Sequence, residues 1–224
     1  MRMTKDFIFD PSLVLYLPLH ELDGASFISR DAAGHLVTRT GALWRPNGHY
    51  FDGDDKLTVP DHTGFNFGTT GDLTLAFWFK KPTPDTLQRV IYKSAAAGAN
   101  PRFTISFQAA SGSPLFAAIT DAGGVGAGLV GTLPTRDGQW HLGSASFDRD
   151  NATGAVLMLD TQIDQIANPT AVGSISTAGR PVYIGTMEAS DYVIGDIGEI
   201  WIFARALSYV EKINLYLATK WRYQ

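Results

Sequence analysis

The chain has 224 residues, 45% of them apolar and 18% charged, and a net charge of −4. Such a composition suits a globular fold with a well-filled interior, expected as one domain over residues 1–224, and excludes extended disorder. Lysines and arginines are scattered rather than gathered in a stripe, no cysteine is present, and no stretch approaches the roughly 18 apolar residues of a membrane span, which argues against nucleic acid, disulfides and membrane alike.

The run from Met1 to Pro11 starts with positive charge but is broken by Asp6, Asp10 and Pro11 before an apolar stretch can form. No secretory leader is read, and synthesis in the cytoplasm is expected. Strands are then predicted at 13–19, 35–39, 48–51, 56–59, 73–80, 88–93, 102–108, 114–120, 139–147, 154–160, 181–185 and 193–203, short segments separated by turn residues, the spacing of a β-sandwich. The strand at 73–80 carries the clearest signal. Leu73, Leu75, Phe77 and Phe79 fall on one face and Thr74, Ala76, Trp78 and Lys80 on the other. Asp52, Asp54 and Asp55 lack the spacing of a calcium-binding EF-hand loop and read as a tight Asp-Gly hairpin turn. The glycine-rich stretches 95–100 and 121–131 read as loops, and the second is not followed by the helix that a dinucleotide fingerprint needs. One helix is predicted, at the end: Ser208 and Glu211 form a capping box, and Val210, Ile213 and Leu217 recur at helical spacing as a stripe that should dock on the sandwich, with Trp221 as a last anchor.

Several segments in this order resemble the laminin-G-like, concanavalin A-like domains of bacterial and phage proteins. They are Leu13 to Leu19, the turn Ser29-Arg30-Asp31-Ala32-Ala33-Gly34, the run Phe51-Asp52-Gly53 through Lys80, Asp137-Gly138-Gln139-Trp140-His141, and Gly195 through Ser208. The resemblance implies an all-β, two-sheet antiparallel jelly-roll sandwich with a short C-terminal helix. It also implies a fold often bound to calcium and often sugar-binding or adhesive. Calcium takes six to eight oxygen ligands from flexible loops. By the resemblance Asp31, Asp196 and Glu199, with carbonyls near Gly34, are the candidate ligands.

The same fold hosts glucanases whose two catalytic carboxylates sit about 5 Å apart on one strand, as E-x-D-x-x-E or E-x-D-x-E. Of the 22 acidic residues only Glu21, Glu188, Glu199 and Glu211 are glutamates, and none starts that motif. His20, His35, His49, His62 and His141 show no zinc spacing, and no serine lies in a G-x-S-x-G elbow. An enzyme is therefore not expected. Sugars are held by aromatic faces with polar neighbours, which singles out Trp78, on the more polar face of its strand, and Tyr92. The expected role is binding or adhesion to a glycan or protein surface through loops of the sandwich. The alternatives are a virion structural or decoration protein with capsid or tail partners, possible also as an oligomer, and an enzyme acting on polysaccharide through an atypical site.

Overall fold

Period-two alternation resolves into sixteen strands and one α-helix in a computed structural model that describes residues 6–81 and 84–224. The first five residues, part of the run read above for a leader, lie outside the described residues. In chain order the strands are β1 (Leu13–Pro18), β2 (Ser26–Ile28), β3 (Leu36–Thr40), β4 (Leu43–Arg45), β5 (Gly48–Asp52), β6 (Lys56–Val59), β7 (Leu73–Lys80) and β8 (Gln88–Ser94). They continue as β9 (Arg102–Phe107), β10 (Leu115–Thr120), β11 (Gly126–Val130), β12 (Trp140–Phe147), β13 (Ala155–Leu159), β14 (Gln162–Ala167), β15 (Val182–Ile184) and β16 (Ile194–Phe203), before helix α1 (Tyr209–Thr219). No helix among the described residues is long and apolar enough to cross a membrane.

Two eight-stranded sheets face each other in an antiparallel jelly-roll sandwich, as expected. The first runs β14-β13-β12-β7-β16-β5-β4, and the second β11-β10-β9-β8-β15-β6-β3-β2. Strand β16 organises the first sheet. One of its edges pairs with β7, while the other is shared by β5, along Ile194–Ile197, and β1, which sets Pro18 opposite Glu199 and Tyr16 opposite Trp201. A bulge between Ile197 and Ile200 breaks the pairing to β7 and holds Gly198 and Glu199.

The main core lies between the sheets and contains Leu73, Leu75, Phe77 and Phe79, the face predicted for it. The opposite face of β7 is also buried, because the first sheet carries a second apolar cluster on its outer side. There Ala76, Trp78, Leu142, Tyr16 and Trp201 are covered by Leu215 of α1 and by Tyr223 beyond it. A strand with one greasy and one mixed face thus becomes fully interior once a helix lies over it.

Two expectations are corrected. The Asp52 to Asp55 turn is no hairpin, since β5 and β6 belong to different sheets and the turn carries the chain from one to the other. The capping box of α1 is present, with Ser208 Oγ accepting from the Glu211 N–H, but its docked face is not the predicted stripe. Val210 and Leu217 face solvent at 62% and 38% exposure, and Trp221 at 67%, while Lys212 and Leu215 are buried. Both sets recur at three- and four-residue spacing, and the polar Lys212 and Thr219 hid the inner one from an apolar pattern search.

Candidate functional site

Helix α1 and the short 3-10 turn Lys220–Arg222 that follows it lie over the outer face of β1 and β16, opposite the 3-10 turn Asp6–Phe9. Between them is a groove of about 420 Å³. Tyr16, Glu199 and Trp201 form its floor, Leu215, Ala218 and Thr219 one wall, Phe7 and Ile8 the other, and Glu21, Trp221 and Arg222 complete it. Arg205 fixes the two sides relative to each other, since its guanidinium donates to Asp10 at 2.6 Å and to Glu211 of the helix at 2.7 Å.

The polar end of the groove is an ion pair under cover. Glu199 is 1% exposed, and its Oε1 lies 2.7 Å from Arg222 and accepts a 2.7 Å hydrogen bond from the Tyr16 hydroxyl. The Tyr223 hydroxyl accepts from the Glu199 N–H at 2.9 Å and stands 3.5 Å from its carboxylate. Burial pushes the Glu199 carboxyl above the usual range, with Arg222 and the tyrosine hydroxyls pulling it back. Burial and the carboxylate likewise push the Tyr16 and Tyr223 phenols up, so they stay protonated and act as donors. Gly198 makes the arrangement possible: a Cβ there would lie 2.5 Å from the Tyr223 hydroxyl.

The apolar end is an aromatic platform. Trp221 donates its indole N–H to the Ala218 carbonyl at 2.9 Å, which fixes the ring, and the Arg222 guanidinium covers it at 4.8 Å from the ring centre. Most of the indole still meets solvent.

The aromatic residues expected to hold a sugar are elsewhere and buried. Trp78 is 2% exposed, stacked on Tyr216 and Tyr223 with its indole N–H on Thr219, because α1 covers its face of β7. Tyr92 is 1% exposed, in the second sheet, and its hydroxyl accepts from the Gly98 N–H to close a loop. Neither offers a ring face to a ligand.

The candidate calcium ligands are not brought together either. Asp31 accepts from the backbone N–H groups of Tyr16, Ala33 and Gly34, so it caps its own turn. Asp196 takes both its hydrogen bonds from Arg45, and Glu199 is engaged by Arg222 and Tyr16. Oxygens shared with guanidinium and amide donors do not fit a cation that needs six or more of them. Among the described residues the one group of three carboxylates within 4.8 Å is Asp52, Asp54 and Asp55. There burial pushes the Asp55 carboxyl up to about 6, while its Oδ2 accepts from the Asp52 N–H at 2.9 Å. The groove itself was missed. Its residues come from segments more than two hundred positions apart, Phe7 and Arg222 at the extremes, and the local signal was the aromatic and basic run Lys220-Trp221-Arg222-Tyr223 after the helix.

The fold is shared with several toxin domains. The binding domain of Paraclostridial Mosquitocidal Protein 1 superposes with a TM-score of 0.69 at 13% identity, covering 92% of this chain and 52% of that one. The binding domain of botulinum neurotoxin serotype G gives 0.70 at 12% identity, over 92% and 50%. The ligand-binding domain of botulinum neurotoxin serotype D, in complex with N-acetylneuraminic acid, gives 0.71 at 11% identity, over 93% and 51%. This chain therefore spans about half the length of those structures, and at such identities the likeness is one of fold. The comparison with curated proteins returns no match. Residues 51–211 match the family model described as the concanavalin A-like lectin/glucanases superfamily. With its two antiparallel sheets and that match over most of its length, the chain belongs to the concanavalin A-like lectin/glucanases superfamily.

Proposed function

We propose that the chain is a carbohydrate-binding domain without a catalytic role, and that the groove beneath the terminal helix holds the sugar. The observation that carries this reading is the fixed, exposed indole of Trp221 standing beside the Glu199–Arg222 pair in one cleft. A sugar ring presents C–H groups on its face and hydroxyls at its rim, so its recognition calls for an aromatic plane next to rigid donors and acceptors. Arg222 offers N–H groups beyond those facing Glu199, and a volume of about 420 Å³ lies within the range of ligand sites. The superfamily's lectin members and the sialic acid complex of the serotype D domain support the class of ligand by analogy of fold.

One observation favours a second reading, that of an enzyme: Glu21 and Glu199 both line the groove. Against it, Glu199 is held by Arg222 and Tyr16, an arrangement suited to a fixed acceptor and poorly suited to an acid that must deliver its proton. A glycan array probed with the wild-type protein and Trp221→Ala tests the binding reading. The expected result is a defined set of bound glycans whose affinity falls about tenfold or more in the variant. Retention of the same set at the same affinity would remove the groove from consideration. Release of reducing ends from a bound polysaccharide, lost in Glu199→Gln, would favour the enzyme.

A further inference from the structure

The charge lining the groove bears on which saccharides it takes. Besides Tyr16, the ionisable side chains that line it are Arg222, Glu199 and Glu21. Arg222 and Glu199 lie 2.7 Å apart, so their charges offset each other. Glu21 is left over. Its side chain is 56% exposed, and its nearest basic neighbour, His20 at 3.3 Å, is held toward the neutral form by burial and by the Arg222 charge. The groove thus carries one uncompensated carboxylate, on a flank where a bound sugar would meet it.

Building on the carbohydrate reading, we propose that this groove selects uncharged saccharides over carboxylated ones, and that Glu21 is the residue that sets the preference. A hexose hydroxyl can donate to the Glu21 carboxylate and accept from Arg222, using both signs of the site. A sialic or uronic acid brings a second negative charge toward Glu21, and the Arg222 charge that would offset it is already balanced by Glu199. Two like charges a few ångströms apart at a partly exposed site give a preference on the order of tenfold, weakening as salt shortens the screening length.

Calorimetric titration of the full chain with matched glycan pairs, galactose-terminated and the same glycan capped with N-acetylneuraminic acid, tests this. Wild type should bind the neutral member about tenfold more tightly at low salt. Glu21→Gln, a change at an exposed side chain that leaves the fold intact, should bring the ratio close to one mainly by tightening the capped glycan, and Trp221→Ala should weaken both members. Equal or tighter binding of the capped glycan by wild type, or a ratio unmoved by Glu21→Gln, overturns the selectivity while leaving the carbohydrate reading in place. If no member of any pair binds, neutral or acidic, the carbohydrate reading falls and the selectivity with it.

Discussion

Asp55 shows how a turn can be read correctly for its residues and wrongly for its purpose. Its acidic, glycine-containing run is what a tight turn requires, yet the turn links two sheets, and that places Asp55 under cover at 3% exposure. Its carboxyl keeps a proton up to about 6, against an ordinary value of 3.8, because burial disfavours the charge and Asp52 and Asp54 add repulsion. The folded state therefore binds the proton more tightly than the unfolded state, so stability is full below about pH 3.8 and declines as pH rises through about 6. Asp55→Asn keeps an acceptor for the Asp52 N–H and removes the charge. It should stabilise the protein by about 1 to 3 kcal/mol at pH 7.5 and by almost nothing at pH 4, as measured by urea unfolding. An equal effect at both pH values would show that the charge of Asp55 is of no consequence. Trp78 and Tyr92 make a related point: alternation assigns a side chain to a face, but whether that face meets water depends on what packs over it, and neither the helix over Trp78 nor the loop over Tyr92 is visible in the strand's own residues.

At the scale of elements, helix α1 was legible in its start and hidden in its orientation. Ser208 and Glu211 mark the N-terminus chemically, through two reciprocal hydrogen bonds. The docked face runs through Lys212, Leu215 and Thr219, two of which are polar. Leu215→Ala should cost about 2 to 5 kcal/mol by opening a cavity over Trp201, whereas Val210→Ser should change stability by less than about 0.5 kcal/mol; equal effects would restore the apolar stripe as the docked face. Lys212 is the unusual member. It is 1% exposed, donates to Ser146 Oγ and the Val156 carbonyl, and is pushed down to about 8 by burial. Because the unfolded state holds this proton more tightly, the charged amine weakens the fold at neutral pH, and stability recovers as pH rises from about 8 toward 10.5. Lys212→Met should therefore stabilise by about 1 to 3 kcal/mol at pH 7, with the gain fading above pH 8. Denaturant melts at pH 7 and pH 10 would show it, and an equal gain at both would contradict the assignment. The strands that escaped sequence reading, β2, β4, β11 and β14, all lie at sheet edges, where one side has no strand to pair with. Chain positions 126–130 include Gly126 and Gly128, which carry no strand preference, and 162–167 mixes amides and an aspartate on a sheet edge where both faces meet solvent.

For the whole molecule, the sandwich was legible because each of its layers repeats a local pattern, alternating residues bounded by turns, many times over. The groove was not, because no local pattern encodes it. It exists only after β1 pairs with β16, the helix lies over that pair, and Arg205 joins Asp10 to Glu211 across the gap. Residues from the first turn and the last are then neighbours around Glu199, a carboxylate that the family resemblance placed at a calcium site. The fold thus presents a cleft in which a fixed indole, the Arg222 guanidinium and the exposed carboxylate of Glu21 converge, and sugar binding there is the central claim. A heteronuclear NMR titration with the glycan bound most tightly tests it most directly. The account predicts that the Trp221 indole N–H and the backbone amides of Glu21, Ala218 and Arg222 shift with a common saturation curve, while the signals of Trp78 and Tyr92 stay in place. Shifts clustered on the loops at the edge of the sandwich, with Trp221 unmoved at saturation, would contradict it.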